Sequence, residues 1–160
     1  KALMILAPGA LFREGREGEI RKKLIEDNLI ETIISLPGNM LYGTAIPVNI
    51  VIFNKKKETN DIFFINASSF VERSRILSTL TPQSIDEIGK IYHQREEHAQ
   101  ISKLVPLQQI QENRYNLMIE RYITPKLIVE TFNMDSLKEE YQVLTERLTT
   151  IQSQLEDLLG

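Results

Sequence analysis

The sequence predicts an α/β fold with a mixed sheet, and three observations predict it. A strand, a helix and a second strand succeed one another over residues 2–36, which is the expected size of two parallel strands joined by a right-handed crossover. A third apolar strand follows without an intervening helix, so it should run antiparallel to the strand before it. The composition, with 42% hydrophobic and 26% charged residues in 160, is that of one ordinary globular domain.

The first half of the chain supplies the strand–helix–strand unit. Residues 2–7 are all apolar and predict a strand that is buried on both faces, ended by a Pro-Gly pair. Residues 17–28 have apolar side chains at helical spacing and predict an amphipathic helix. Residues 31–36 predict the next strand, parallel to the first.

A loop and further strands follow this unit. Residues 37–46 are rich in turn formers, and residues 47–53 form an apolar strand with its proline at the first position, where proline is tolerated. Residues 55–61 are charged and predict a turn. Residues 62–65 then predict a strand that returns as the hairpin partner of the previous one.

The middle of the chain is mainly helical. Thr81 is a good N-cap, with proline at the next position, for a helix predicted over residues 82–100. Residues 102–106 predict a short strand, and residues 107–113 predict a short helical turn. Residues 114–123 fit a strand and a loop equally well.

The C-terminal tail has a different pattern. From Asp135 onward it contains no proline or glycine until Gly160, and its apolar residues alternate between spacings of three and four, as in a heptad repeat. One apolar stripe on a long helix needs a partner surface, with a homotypic coiled coil and a helix folded back on its own domain as alternatives. The stripe consists of Leu137, Tyr141, Leu144, Leu148, Ile151, Leu155 and Leu158.

Composition excludes several classes of site. The chain has no cysteine, which excludes thiolate metal sites and disulfides and suits a reducing compartment such as the cytoplasm. Its two histidines, His93 and His98, are five residues apart and do not form a ligand pair on a helix, so no metal site is expected. The sequence lacks the common phosphate-loop and hydrolase motifs, and it lacks an apolar stretch long enough to span a membrane.

Two loops at the carboxyl ends of predicted strands are candidate sites, because ligands of α/β sheets bind there. Tyr42, in the loop after the second strand, can stack on a nucleobase, or it can cap the core and close the loop. Arg13 and Arg16, in the loop after the first strand, can contact DNA phosphates, or they can pair with neighbouring glutamates.

Several segments, taken in order, resemble a known family. They are residues 8–13, 20–24, 34–47, 63–68 and 113–117, together with Arg121 and Tyr122. In this succession the chain resembles, over residues 1–125, the modification (M) subunit of type I restriction-modification systems. That subunit is an N6-adenine DNA methyltransferase of the gamma class.

The resemblance implies a fold and a place in a longer protein. The family has the Rossmann-like sheet of S-adenosylmethionine-dependent methyltransferases, parallel except for one antiparallel strand near its C-terminal end. Its Gly-rich methyl-donor loop and its Asn-Pro-Pro-aromatic motif precede the matched region, so no catalytic residue is carried over. We expect residues 1–125 to be the C-terminal portion of the methyltransferase domain and residues 126–160 a helical tail for assembly, inactive on their own.

The resemblance also implies a function and partners. The full-length protein would transfer a methyl group from S-adenosylmethionine to adenine N6 in a specific DNA sequence. Leu41 and Tyr42 match the family's Phe-Tyr loop that clamps the flipped adenine, with leucine replacing the usual phenylalanine. The heptad stripe would dock on the specificity (S) subunit, in a complex that a restriction (R) subunit can join. The alternative is a non-enzymatic interaction module that presents a coiled-coil helix.

Overall fold

A computed structural model describes residues 1–73, 77–124, 141–142, 144–145, 147–149 and 151–152. The chain divides into two compact units, Lys1–Lys126 and Leu127–Gly160. The first unit contains the sheet and its helices.

Seven strands and four α-helices are defined in the described part of the first unit. The strands are β1 (Ala2–Leu6), β2 (Ile30–Leu36), β3 (Val48–Phe53), β4 (Asp61–Asn66), β5 (Val71–Arg73), β6 (Ser78–Leu80) and β7 (Ser102–Pro106). The helices are α1 (Gly9–Phe12), α2 (Arg16–Glu26), α3 (Pro82–Gln94) and α4 (Leu107–Glu112), with 3-10 turns at Ser68–Phe70 and Ile119–Arg121.

Five of the strands form one mixed sheet in the order β1-β3-β2-β4-β7. β3 is antiparallel to both β1 and β2, so β1 and β2 run in the same direction with β3 between them. β4 is parallel to β2, and β7 is antiparallel to β4. The predicted α/β class, the mixed sheet and the antiparallel third strand are confirmed. The sheet contains a second antiparallel strand, β7, beyond the single one that the resemblance implies.

The prediction that β4 forms a hairpin with β3 is wrong. β4 pairs with the opposite edge of β2, where Ile33 lies beside Phe64. The connection between β3 and β4 passes across the start of β2 and is held there by four hydrogen bonds with residues 28–30, two of them to backbone carbonyls of Leu29 and Ile30. The Asn54 amide donates to the Leu29 carbonyl at 2.8 Å, and Lys57 Nζ donates to the Ile30 carbonyl at 3.0 Å.

The prediction that the first strand is buried on both faces is also wrong. Leu3, Met4 and Ile5 are exposed, because β1 lies at the edge of the sheet and pairs only with β3 among the described strands. The apolar run identified a strand correctly. Its burial depends on neighbours that a local sequence pattern does not specify.

The helix predicted to reach Gln100 ends at Gln94. Arg95 adopts a left-handed conformation with φ of 53°, and its side chain forms an ion pair with Asp61 of β4 at 2.5 Å. The predicted N-cap is confirmed, since Thr81 Oγ1 accepts a hydrogen bond from the Ser84 amide. The open segment 114–123 is a loop that ends in a 3-10 turn.

The core lies on both faces of the sheet. Ile33 and Phe64 belong to the cluster packed against α2 and α4, and Phe63 and Ile65 belong to the cluster packed against Ile88 of α3. The four sheet residues are fully buried, and burial of each stabilises the fold by about 1.5–3 kcal/mol. The central strands are thereby fixed, and the loops at their ends have a rigid base.

In the second unit, the described residues are helical. Tyr141, Leu144, Leu148 and Ile151 are exposed members of the predicted stripe. The other members, Leu137, Leu155 and Leu158, lie outside the described residues. None of the helices in the described ranges is long and apolar enough to span a membrane.

Candidate functional site

The carboxyl ends of β1, β2 and β4 meet at one end of the sheet. Leu6 lies opposite Asn49, Asn49 lies opposite Ser35, and Ser35 lies beside Asn66. The loops that carry the candidate residues therefore leave the sheet at the same end. In an α/β sheet this is the end at which ligands bind.

The loop after β2 folds back on itself and presents Tyr42. A Cβ atom on Gly38 would lie 2.1 Å from the Ala45 carbonyl oxygen, so only glycine permits this close approach of the backbone. The Thr44 hydroxyl accepts a hydrogen bond from the Ile46 amide at 3.1 Å and closes the second half of the loop. Tyr42 and Gly43 lie between Gly38 and Thr44, at the tip of the loop, and Gly43 has a φ of 77°.

Tyr42 is 86% exposed, so it does not cap the core. Leu41 and Ile46, on the same loop, are also exposed. The loop thus presents an apolar surface with an aromatic ring at the carboxyl end of the sheet. Such a surface can stack on a planar ligand.

Arg13 and Arg16 follow β1, and the structure gives them different surroundings. Arg13 Nη1 lies 3.8 Å from Glu17 Oε1, and both side chains are more than half exposed, so the pair contributes about 1 kcal/mol or less. Arg16 is the first residue of α2 and is exposed. It forms no ion pair with any residue that the structure describes. The paired alternative therefore applies to Arg13 and not to Arg16.

Arg21, which the sequence pattern did not single out as a functional residue, fixes the loop after β1. Arg21 is only 7% exposed, and its side chain donates three hydrogen bonds to backbone carbonyls. Nε donates to Tyr115 at 2.8 Å, and Nη1 donates to Ala10 at 3.1 Å and to Arg13 at 2.9 Å. Burial lowers the pKa of the Arg21 guanidinium. Arg21 lies three residues before Leu24 and four before Ile25, so helical periodicity places it on the apolar stripe of α2. This spacing was the sequence signal that the arginine is buried.

Neither of two glycines near the carboxyl end of the sheet leaves an open cradle for S-adenosylmethionine. At the carboxyl end of the sheet, the space beside Gly38 is occupied by the chain's own Ala45 backbone, so this glycine closes a loop and does not leave room for a ligand. Gly9 is likewise covered by the Arg13 side chain, at 2.8 Å from the position of a Cβ atom. These two glycines serve the packing of their own loops.

The histidines lie on the surface, outside these loops. His93 and His98 are both exposed, and His98 Nε2 lies 3.9 Å from the Glu96 carboxylate. Within the described ranges, no three His, Asp or Glu side chains are grouped as a metal site requires.

Comparison with known proteins places this geometry in a family. The model of the N-6 DNA Methylase family matches residues 1–131. The chain is 33% identical, over its full length, to the MjaVIII type I restriction enzyme methylase subunit of Methanocaldococcus jannaschii. It is 28% identical, over 99% of its length, to the MpnII type I restriction enzyme methylase subunit of Mycoplasma pneumoniae. The chain spans 29% of the length of each of these relatives.

Solved structures show the same fold. The methyltransferase subunit of a type I restriction-modification system from Streptococcus thermophilus matches with a TM-score of 0.73 and 36% identity, over 76% of this chain and 26% of that one. A chain from a structural study of complex assembly and conformational transition in the type I R-M system matches over 98% of this chain and 35% of that one. Its TM-score is 0.61, and its 17% identity supports the fold alone. By its sequence match and its fold, the chain belongs to the N-6 DNA methylase family, among relatives that are methylase subunits of type I restriction enzymes.

Proposed function

We propose that this chain is the C-terminal part of the M subunit of a type I restriction-modification enzyme. The full-length protein transfers a methyl group from S-adenosylmethionine to N6 of adenine in a specific DNA sequence, in the cytoplasm. An S subunit reads the sequence, and an R subunit can join the complex. The family match over residues 1–131 carries this proposal.

In this proposal, Tyr42 stacks on the target adenine. The adenine amino group lies inside the duplex, so the base must leave the helix before it reacts. An exposed ring at the carboxyl end of the sheet offers the unstacked base a new partner. Stacking of this kind is worth about 1–3 kcal/mol per base.

Arg13, in the loop after β1, and Arg16, at the start of α2, serve the same complex. Arg16 is exposed and forms no ion pair within the described part of the chain, and the pair between Arg13 and Glu17 is exposed and weak. Both side chains are therefore available to contact phosphates, which position a duplex without reading its sequence.

The tail, residues 126–160, binds the S subunit through its heptad stripe. Exposure of Tyr141, Leu144, Leu148 and Ile151 supports an interaction surface in this unit. The proposed complete stripe also includes Leu137, Leu155 and Leu158. The N-6 DNA methylase match favours this role within an enzyme over a non-enzymatic interaction module.

The methyl donor supplies the transferred group when it is bound by the full-length protein. Residues of this chain position the target base and the complex, and no residue of the described part is assigned to the donor. We therefore expect the isolated chain to be inactive in methyl transfer.

The test uses the full-length protein purified with its S subunit. Replacement of Tyr42 by alanine should lower kcat/KM for adenine methylation of cognate DNA by about tenfold to hundredfold, since stacking is lost. Tyr42→Phe retains the ring and should retain most of the activity. Transfer is measured with isotopically labelled S-adenosylmethionine, and N6-methyladenine is identified by mass spectrometry of the nucleosides.

Two further variants make the result specific. Ile85→Ala removes a comparable exposed apolar side chain from α3 and should leave the activity unchanged. Leu41→Ala tests whether the neighbouring position makes the contact instead. Full activity of the Tyr42→Ala protein would contradict the stacking role, and absence of N6-methyladenine with the unmodified complex would contradict the enzymatic function.

A further inference from the structure

A polar pocket lies between the loop after β1 and the segment that follows α4. Its volume is about 260 Å³. Three arginines line it, Arg21, Arg114 and Arg121, together with two glutamates, Glu14 and Glu112. The pocket was not apparent from the sequence, because its arginines are separated by up to 100 positions along the chain.

The glutamates do not neutralise the arginines. None of the three arginines forms an ion pair with any residue in the described ranges. Glu112 Oε1 instead accepts a hydrogen bond from Gln108 Nε2 at 3.1 Å. Three guanidinium groups against two carboxylates leave the pocket with an excess of positive charge, which favours an anion.

Arg21 is the buried member of this group. Its Nε and Nη1 atoms bind three backbone carbonyls, and its Nη2 atom makes no hydrogen bond to a described residue. The hydrogen bonds of this guanidinium go to carbonyls, and its charge is offset only in part, by the nearby Glu17 carboxylate. A buried charge without a directly bonded counter-ion is costly, and an anion in the pocket would supply one.

The backbone beside the pocket is strained. Arg114 and Tyr115 both have positive φ, at 55° and 57°. Two consecutive non-glycine residues in this conformation are unfavourable, and such strain is concentrated at functional sites. The Tyr115 carbonyl is held by Arg21, and the Tyr115 hydroxyl donates to Glu26 at 2.7 Å. The strained turn is therefore anchored on both sides, with Arg114 exposed at the pocket.

We propose that this pocket binds a phosphodiester group of the DNA backbone. One guanidinium group can donate two parallel hydrogen bonds to two phosphate oxygens. Arg114 and Arg121 can therefore donate from the rim of the pocket, while Arg21 supplies positive charge from its base. Arg13, in the loop after β1, and Arg16, at the start of α2, are further cations near one wall of the pocket, interspersed with Glu14, Glu17 and Glu19. The choice of DNA as the source of the phosphate rests on the proposed function.

The test measures DNA binding by the full-length protein with its S subunit, at several salt concentrations. Arg114→Gly is the sharpest variant, because it removes the guanidinium and relieves the positive φ, so it should not unfold the loop. We expect affinity to fall about tenfold and the slope of log K against log salt to become shallower by about one. The loss should be equal on cognate and scrambled duplexes, since phosphate contacts carry no sequence information.

Matched variants control for charge and geometry. Arg121→Ala should reproduce the effect, and Arg114→Lys should recover part of the affinity because it restores the charge without the paired donors. Lys56→Ala removes one positive charge from the connection between β3 and β4, at a position that does not line the pocket, and should change neither quantity. Titration with inorganic phosphate tests whether the pocket binds a free phosphate ion and not a phosphodiester group of DNA.

Each outcome decides between the proposals. Unchanged affinity and salt slope in the Arg114→Gly and Arg121→Ala complexes would overturn the phosphate site, while adenine methylation by the unmodified complex would still support the proposed function. Weaker DNA binding without adenine methylation would support the site and overturn that function. The inference would also be overturned if the arginine variants lost the S subunit, or if they lost binding of inorganic phosphate while DNA binding stayed intact. Either result would assign the pocket to a different ligand.

Discussion

Single buried polar side chains determine how the loops of this protein are held. Arg21 joins α2 to the loop after β1 and to Tyr115 through three carbonyls. Tyr122 donates its hydroxyl hydrogen to the Asn116 carbonyl, and its ring lies 4.6 Å from that of Phe64. A charged or hydroxyl group in these places contributes a defined geometry as well as stability.

Tyr122 should make stability depend on pH in the alkaline range. Burial raises the pKa of its phenol to about 12, from about 10 in the unfolded chain. As pH rises from about 10 to 12, the unfolded state loses this proton first, so the contribution to stability is lost with increasing pH. The Tyr122→Phe variant has no phenol at this position, so its stability should not fall with pH for this reason.

The measurement is the free energy of unfolding in urea of the unmodified protein and the Tyr122→Phe variant, at about pH 9 and pH 11. At about pH 9, the unmodified protein should be more stable than the Tyr122→Phe variant by about 1 kcal/mol, because only the unmodified protein has the hydroxyl hydrogen bond. Its advantage should shrink or reverse at the higher pH. Other groups that titrate in this range cancel in the comparison, so an equal difference at both pH values would contradict the prediction.

Helix α3 begins at a residue set by local sequence and ends at a residue set by tertiary contacts. Thr81 and the proline after it suffice to start α3. Its end at Gln94 depends on Arg95, which pairs with Asp61 and lies over the ring of Phe63 on another strand. The predicted extension to Gln100 was wrong because that partner is distant in sequence.

Two glycine-to-alanine substitutions should have opposite effects. Gly89 lies within α3, and an added Cβ atom meets nothing within 4 Å, so Gly89→Ala should stabilise the protein by about 0.5–1 kcal/mol. Gly38→Ala would bring Cβ to 2.1 Å from the Ala45 carbonyl oxygen and should destabilise it by about 1–3 kcal/mol. Urea unfolding measures both, and a stable Gly38→Ala protein would show that the loop can rearrange.

At the scale of the whole molecule, the two units have different roles in the proposed complex. The sheet unit has a buried core on both faces of its central strands. The described stripe residues of the tail unit are exposed. A long helix with one apolar stripe is stabilised mainly by packing against another surface. The proposed partner for this stripe is the S subunit.

Replacement of Leu144 and Leu148 by aspartate should abolish co-purification of the full-length protein with the S subunit. Burial of each leucine is worth about 1.5–3 kcal/mol, so loss of both should weaken association by about hundredfold or more. Gln142→Asp with Thr149→Asp adds the same charge to the same helix at positions outside the stripe and should retain the complex. Retention of the S subunit by the Leu144, Leu148 variant would contradict the docking role.

The sequence determined by itself the class of the fold, the places of the five strands of the main sheet and of helices α2 and α4, the start of α3, the antiparallel direction of β3 and the resemblance to a DNA methylase subunit. These depend on local periodicity, turn residues and motif order, all of which lie within short stretches of chain. Tyr42 was also identifiable as a candidate, because its loop follows a strand.

The tertiary structure decided which strands are neighbours, which apolar residues are covered and which arginines meet. β4 joins β2 and not β3, β1 is exposed at the sheet edge, and Arg21, Arg114 and Arg121 converge on one pocket. The physical reason is that periodicity specifies the face of a strand or helix, whereas pairing and burial depend on segments that are distant along the chain.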